Sequence, residues 1–370
     1  MRIFYVAQST PNETALPGSR LWYVNLYLPL RDLGHELIVF DHEYLHVAYD
    51  LDPSLPGHQR VVTRNRAQVS EEMVGQVQSA HREAPIDLFF SYFSSANVEP
   101  DAIREIGRMG IVTLNWYCNA SYQFHLVQEI APAYHYCLVP EKFRLDDYRR
   151  VGARPLYCQE AANPNVYRPY DVPLQFDVTF VGQKYGNRPT YIRSLIDAKI
   201  QARAWGPHWQ DSPPSRPLWR RIGCKVKRTL LTRRPSVSTD VAREYCGPPL
   251  TDQEYIEMYS RSKISLGFSS VAEVPLRSRP VKQVRLRDFE ATMSGAFYLV
   301  EYFEELAELF EPDKEIVCFN DADELVGKAR YYLTHDTERN RIREAGMRRA
   351  RSEHTWHRRF ETVFRQIGLA

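Results

Sequence analysis

Between Glu254 and Phe319, strand-length apolar runs alternate with helix-length segments in the order helix, strand, loop, helix, strand, helix, strand. This alternation constrains the fold more than any other feature of the chain. Parallel strands joined by helices wind right-handed, and such sheets bind ligands in the crevice at their strand C-termini. At the centre stands Arg287-Asp-Phe-Glu-Ala-Thr-Met-Ser-Gly-Ala-Phe-Tyr-Leu-Val300, which reads as a helix followed by a buried strand. Glu290 falls in the first turns of that helix, where a carboxylate can accept two ribose hydroxyls. Gly295 ends the helix and leaves the backbone open to close approach.

The pattern extends in both directions. Ile3–Ala7 reads as a first strand, Leu21 to Leu33 has helical apolar spacing, and Glu36–Phe40 reads as a second strand. A helix that starts after Gly18-Ser19 can hold an anion or a sugar; the alternative is a plain N-cap on Ser19. The spacing is not Gly-x-Gly-x-x-Gly, so a dinucleotide fingerprint is absent. Residues 50–66 read as loop and Ala67–Glu83 as a polar helix. Ile86–Phe90, Ile111–Asn115, His135–Val139 and Arg154–Cys158 read as further strands of a doubly wound parallel sheet. Two strand ends, Ser91–Ala96 and Asn115–Asn119, carry aromatic and polar groups suited to sugar recognition or to capping the core. The proline-rich run from Gln159 to Pro173 marks a linker, which divides the chain into domains 1–168 and 169–353 with a tail 354–370.

The second half restarts with a strand at Phe176–Val181. The following loop, Gly182-Gln-Lys-Tyr-Gly-Asn-Arg188, opens a helix and has the physics of a phosphate site: backbone N–H groups, a helix dipole, Lys184 and Arg188. The next strand ends at Trp205-Gly206. A basic insertion at 212–240 follows, with no acidic residue before Asp240. Its stretch 216–234 reads either as a dock for an anionic membrane surface, at the inner face of the membrane, or as a solvated loop.

The 370 residues suit two domains. A net charge of +2 gives no whole-molecule attraction to nucleic acid, and the basic run lacks stacking partners beyond Trp219. Six scattered cysteines without a C-x-x-C pair read as free thiols of a reducing compartment. No apolar run approaches the ~20 residues of a membrane span, so a cytoplasmic protein is expected.

The stretch from Phe176 to Arg359 resembles the C-terminal domain of GT-B glycosyltransferases. More narrowly it is similar to the spore-maturation CgeB-like branch. The runs that carry this are Glu254-Tyr-Ile-Glu-Met-Tyr-Ser-Arg-Ser-Lys-Ile-Ser-Leu-Gly-Phe268, Leu286 to Phe297, Phe303 to Val317 and Glu353-His-Thr-Trp-His-Arg-Arg359. Leu33 to Leu37 and Glu160-Ala-Ala-Asn-Pro164 match in outline. The resemblance implies an α/β fold of two Rossmann-like domains facing a cleft, with the tail helix crossing back to the first. It implies a nucleoside-diphosphate sugar (UDP-, GDP- or dTDP-linked) as donor and a glycan, small molecule or protein as acceptor. Glu290 matches the second Glu of a Glu-x7-Glu motif, the ribose holder. Gly182, Lys184 and Arg188 match the diphosphate loop. Trp205, Gly206 and Gly247 to Leu250 surround the base, and Ser269 ends the strand before the donor loop. Where the motif has its first Glu, this chain has Lys282, which cannot accept a hydrogen bond but can steady a phosphate.

Transfer requires charge stabilisation on the leaving diphosphate. No Asp-x-Asp stands at a strand end, since Asp321-Ala-Asp323 reads as a helix cap, so the expectation is a reaction without a metal. The candidate cations are Arg188, Lys282, Arg285 and Arg287. Inversion would need a base in the first domain, with Glu13, His125 and Asp101 as candidates, whereas retention, in the scheme the resemblance implies, would need none. A non-catalytic binding protein and an epimerase acting on the sugar nucleotide itself are the competing readings.

Overall fold

The computed structural model describes residues 1–7, 20–41, 52–211, 241–271 and 281–369. Glu13, Gly18 and the whole basic insertion, including the stretch 216–234 read as a membrane dock or a solvated loop, lie outside the described residues.

Two parallel six-stranded sheets form the frame. The first has the order β2-β1-β3-β4-β5-β6, with β1 Arg2–Val6, β2 Glu36–Val39, β3 Leu88–Ser91, β4 Val112–Trp116, β5 Tyr136–Val139 and β6 Pro155–Tyr157. The second has the order β12-β11-β10-β7-β8-β9. Its strands are β7 Phe176–Val181, β8 Ala202–Trp205, β9 Cys246–Gly247, β10 Ser262–Gly267, β11 Tyr298–Glu301 and β12 Val317–Phe319. Central strands such as β3 are buried at every residue. A sheet covered by helices on both faces requires that continuous burial, and apolar runs instead of alternation in the sequence reflect it. In the second sheet the winding reverses between β7 and β10, which pair directly. Ligands of open α/β sheets bind at such a reversal.

Most elements lie within a residue or two of the sequence expectation. Two differ for clear reasons. The helix expected over Leu21 to Leu33 is broken into a wide turn at Tyr23–Tyr27 and a short helix at Leu28–Asp32. Pro29 has no N–H to offer Asn25, so the Leu28 amide reaches back five residues to the Tyr23 carbonyl. The polar helix runs from Pro56 to Glu83, well before the expected Ala67. Pro56 fits its first turn, and Val62, Asn65, Val69, Met73 and Val77 form the thin buried stripe that anchors it.

The helix Trp356–Gln366 leaves the second sheet and packs into the core of the first. Trp356 meets Trp116 edge to face at 5.1 Å. Further ties join the halves: Ser121 donates to Gln283, Lys142 pairs with Glu308, and Tyr157 donates to Glu305. Among the described residues no helix is long and apolar enough to cross a membrane. The five described cysteines are all free.

Candidate active site

The C-terminal ends of β7 and β8 are held together by glycine. The Gly182 amide donates to the Trp205 carbonyl at 2.8 Å, and Trp209 donates its indole N–H to the Gly182 carbonyl at 2.6 Å. Gly206 sits at φ +132, and a Cβ there would stand 2.5 Å from the Gly182 oxygen. A Cβ on Gly182 would strike the Phe180 ring and the Arg287 guanidinium, at 2.8 and 2.9 Å. The two glycines thus let the strand ends and Arg287 share one small space.

A cavity of about 250 Å³ opens at this point. The second half lines it with Val181, Gly182, Gly206, Pro207, Pro249, Leu250, Asp252, Tyr255, Ile256, Arg287 and Glu290. The first half contributes Arg20, Leu21 and Val24, and the linker contributes Val166 and Tyr167. Asp252 accepts from the Arg20 amide at 3.1 Å and clasps the two halves across it.

Glu290 lies on the helix Leu286–Met293, whose first turn is fixed by Asp288. Asp288 accepts from the Arg285 amide and the Tyr298 hydroxyl at 2.8 and 2.7 Å, so it is a structural cap. Glu290 is 4% exposed. Its Oε2 accepts from Tyr255 at 2.6 Å, and Tyr259 donates in turn to Tyr255 at 2.6 Å. Its Oε1 is buried without a hydrogen-bond partner. Burial raises its pKa, offset in part by the Tyr167 and Tyr255 hydroxyls and by Arg287. A buried acceptor left open in a cavity is costly unless something donates to it.

Three guanidinium groups converge beside it. Arg287 lies over the Phe180 ring at 5.5 Å, and its Nε is buried without a partner. Arg285 donates to the Tyr185 hydroxyl and the Ser270 carbonyl, each at 3.0 Å. Arg188 stacks on Tyr185 at 3.7 Å and donates to the Gln183 carbonyl and the Tyr185 hydroxyl. Among the described residues none of the three forms a direct ion pair with a carboxylate, although the charge of Arg287 bears on Glu290. Burial, and then the like charges of Arg287 and Arg285, push Arg188 down to about 9, so it remains a cation at neutral pH.

The sequence-expected residues therefore divide. Gly182, Gly206, Leu250, Arg287 and Glu290 line the cavity. Arg285 and Arg188 stand outside its lining; Arg188 is committed to shaping the 182–187 loop instead of presenting its fork to a ligand. Lys184 uses its backbone amide to hold the Pro207 carbonyl and does not line the cavity. Several expectations are corrected. The Trp205 ring fills the space over Gly247 and meets Phe176 edge to face, away from the cavity lining. Ser269 spends its hydroxyl on the Glu301 carbonyl. Lys282 is tied to Glu301 at 3.2 Å and to the Tyr302 carbonyl at 2.7 Å, so its ammonium already has partners. What approaches Gly295 is the Pro169 ring of the linker, 3.1 Å from where its Cβ would be, and Gly295 does not line the cavity. His125 faces Asp52 at 3.5 Å with 47% of its side chain exposed, and Asp101 is 90% exposed and pairs with Arg104. Neither lines the cavity. The strand-end groups also turn inward: Asn115 is spent on Ser91 and Phe93, and Tyr92 stacks with Tyr117 inside the core. Tyr167, Tyr255, Asp252 and Arg20 were not singled out by sequence reasoning. For Asp252, Tyr255 and Tyr259 a signal existed, since they share one face of the helix Asp252–Arg261.

Among the described residues no group of three or more His, Cys, Asp or Glu is placed to hold a metal ion.

Two facing Rossmann-like domains with a cleft at the strand ends define the GT-B fold, and solved structures of that class superpose on the whole chain. Anabaena Alr3699/HepE, solved with UDP and glucose, is similar over 100% of both chains at 13% identity, with a TM-score of 0.58. A sucrose-phosphate synthase from Thermosynechococcus elongatus is similar over 99% of both chains at 13% identity, with a TM-score of 0.57. A glycosyltransferase from Rickettsia africae covers 99% of this chain and 98% of its own at 12% identity, with a TM-score of 0.56. At such identity the likeness is one of fold. In sequence, residues 188–365 match the family described as glycosyl transferase-like. No curated protein matches the chain in sequence.

Proposed function

We propose that this protein is a glycosyltransferase that takes its sugar from a nucleoside diphosphate, with UDP as the first nucleotide to test. The observation that carries the reading is the pairing in one cavity of an open carboxylate oxygen on Glu290 with the Arg287 guanidinium, backed by Arg285, neither arginine forming an ion pair among the described residues. A ribose supplies hydroxyl donors for the first, and a diphosphate supplies anionic oxygens for the second. The glycosyl transferase-like match over 188–365 covers both groups of residues, and the structurally similar HepE was solved with UDP. The resemblance of the runs at 254–268 and 286–297 to the CgeB-like branch supports the narrower reading that the chain is of that branch.

In this reading the base lies on the backbone edges of Gly206, Pro207 and Leu250. Glu290 holds the ribose. Arg287, backed by Arg285, meets the charge that develops on the diphosphate as the sugar–oxygen bond breaks. The sugar then projects toward the first domain, where the acceptor enters.

Calorimetry with UDP, GDP and dTDP, followed by turnover of the matching sugar nucleotides, tests this. Binding of at least one nucleotide, lost on Glu290→Ala, is expected. If none binds, the reading fails. Binding with no turnover would make the chain a binding protein, and a changed sugar still on its nucleotide would make it an epimerase.

A further inference from the structure

A charge pair spans the cavity from one domain to the other. Among the described residues the cavity lining carries two carboxylates, Asp252 and Glu290, and two guanidinium groups, Arg20 and Arg287. Glu290 and Arg287 already have roles in the donor site. Arg20 comes from the first domain, just before the wide turn at Tyr23–Tyr27, and Asp252 opens the helix Asp252–Arg261 of the second. The Arg20 Nε lies 3.4 Å from Asp252 Oδ2, and the Arg20 amide donates to the same oxygen at 3.1 Å. The two terminal nitrogens of Arg20 form no hydrogen bond among the described residues.

As a clasp the pair is weak. The side chains of Arg20 and Asp252 are 43% and 35% exposed, and ion pairs this open to water contribute little to stability. A guanidinium binds phosphate oxygens through shorter, stronger and often bidentate hydrogen bonds, so a diphosphate outcompetes Asp252 for Arg20. The cavity is also tight. With the pair closed across it the volume is about 250 Å³, below the roughly 300–1,000 Å³ usual for ligand sites. A nucleoside diphosphate that enters has to press against every wall, the Arg20 wall included. The lining charges balance at two against two, so an entering diphosphate meets no net counter-charge unless a cation is freed from its carboxylate. Arg287 has no ion pair to give up, and Arg20 has one.

We infer that Arg20 is a ligand of the donor's diphosphate, held on Asp252 until the donor enters. The inference rests on the glycosyltransferase reading and deepens it, because it assigns a first-domain residue to a substrate that the second domain otherwise holds. On binding, the guanidinium leaves Asp252 Oδ2 for a phosphate oxygen, and one ion pair is exchanged for a stronger one. No covalent bond changes. Asp252 is left in the first turn of its own helix, where the dipole still favours a carboxylate. The exchange ties the first domain to the bound donor.

The test measures affinity by calorimetry for UDP and for uridine, which carries no phosphate. The proteins are wild type, Arg20→Met, Arg20→Lys, Asp252→Asn and the double variant Arg20→Met with Asp252→Asn. Asn keeps an oxygen for the Arg20 amide and drops the charge. Arg20→Met is expected to bind UDP about 10-fold or more weakly, the loss of a charge-assisted hydrogen bond, and Arg20→Lys to lose less. Asp252→Asn is expected to bind UDP roughly 3–5-fold tighter, the worth of an exposed pair that no longer has to be broken. In the Arg20→Met background that gain shrinks to less than about twofold, because the two residues act through each other. Uridine affinity stays within about twofold throughout, since only a phosphate calls on Arg20. If wild type binds GDP or dTDP in place of UDP, the matching nucleoside replaces uridine. A pair that only joined the domains would behave differently: both single variants would shift affinity in the same sense, and uridine would follow UDP. The proposal is overturned if Asp252→Asn binds UDP no tighter than wild type, if Arg20→Met keeps wild-type affinity, or if uridine changes with UDP. It is also overturned if the gain from Asp252→Asn persists in full without Arg20, which would mark plain repulsion by Asp252. A wild type that binds none of the three nucleotides overturns the glycosyltransferase reading and this proposal together. A wild type that binds one of them beside any of the failed outcomes overturns this proposal alone.

Discussion

Replacing Arg287 by methionine should lower ligand affinity sharply while leaving stability nearly unchanged. Arg287 is partly buried, has no hydrogen bond or ion pair among the described residues, and lies near two other guanidinium groups. In the free protein its charge is opposed by desolvation and by the neighbouring guanidinium groups, and it is compensated by the nearby Glu290 carboxylate and by the Phe180 ring at 5.5 Å. That contact is worth about 0.5–2 kcal/mol. Desolvating a cation without a partner costs several kcal/mol. Methionine has nearly the same length and no charge; it removes the desolvation cost together with the attraction to Glu290, so the variant should lie within about 1–2 kcal/mol of wild type in stability. In the complex the charge is needed. Two charge-assisted hydrogen bonds to a diphosphate, at about 1.5–3 kcal/mol each, are lost. At 1.4 kcal/mol per tenfold, UDP affinity should fall by roughly 100-fold or more, while affinity for uridine, which has no phosphate, stays unchanged. Thermal denaturation and calorimetry with UDP and uridine check both halves. A lower melting temperature together with unchanged UDP affinity would refute the argument, because it would make Arg287 a structural residue.

Tyr255→Phe removes the 2.6 Å hydrogen bond to Glu290, and UDP titration should find about 10–30-fold weaker binding, from the 1.5–2 kcal/mol of a charge-assisted bond. Gly206→Ala places a Cβ 2.5 Å from the Gly182 carbonyl oxygen at φ +132, and urea unfolding should report a loss of about 3 kcal/mol. Glu141 is held at about 8 by burial and then by Glu305, with Arg144 opposing. Its raised pKa means that the folded state binds more protons than the unfolded chain between pH 4.5 and 8, so stability is fully present below that window and is lost as pH rises through it. Glu141→Gln should flatten this loss by a few kcal/mol in melts recorded from pH 5 to 9, and an unchanged slope would count against the burial argument.

The order of elements was legible because a parallel sheet covered on both faces favours apolar strands, and β3 and β11 supply them in one dimension. The position of Glu290 was legible for the same reason, since a strand end and a helix start set it. What the sequence could not rank was the group of cations around it. Arg285 and Arg287 are two residues apart, yet one caps the helix and binds Tyr185 while the other turns into the cavity. Lys282 read as a phosphate candidate because its partner, Glu301, arrives from a neighbouring strand. The sequence by itself determined the two sheets, the crevice and the carboxylate at its edge, all products of local pattern. Which charges stayed unpaired was decided only by tertiary structure, because pairing depends on distances between segments far apart in the chain, and those unpaired groups are the ones with chemistry left to do.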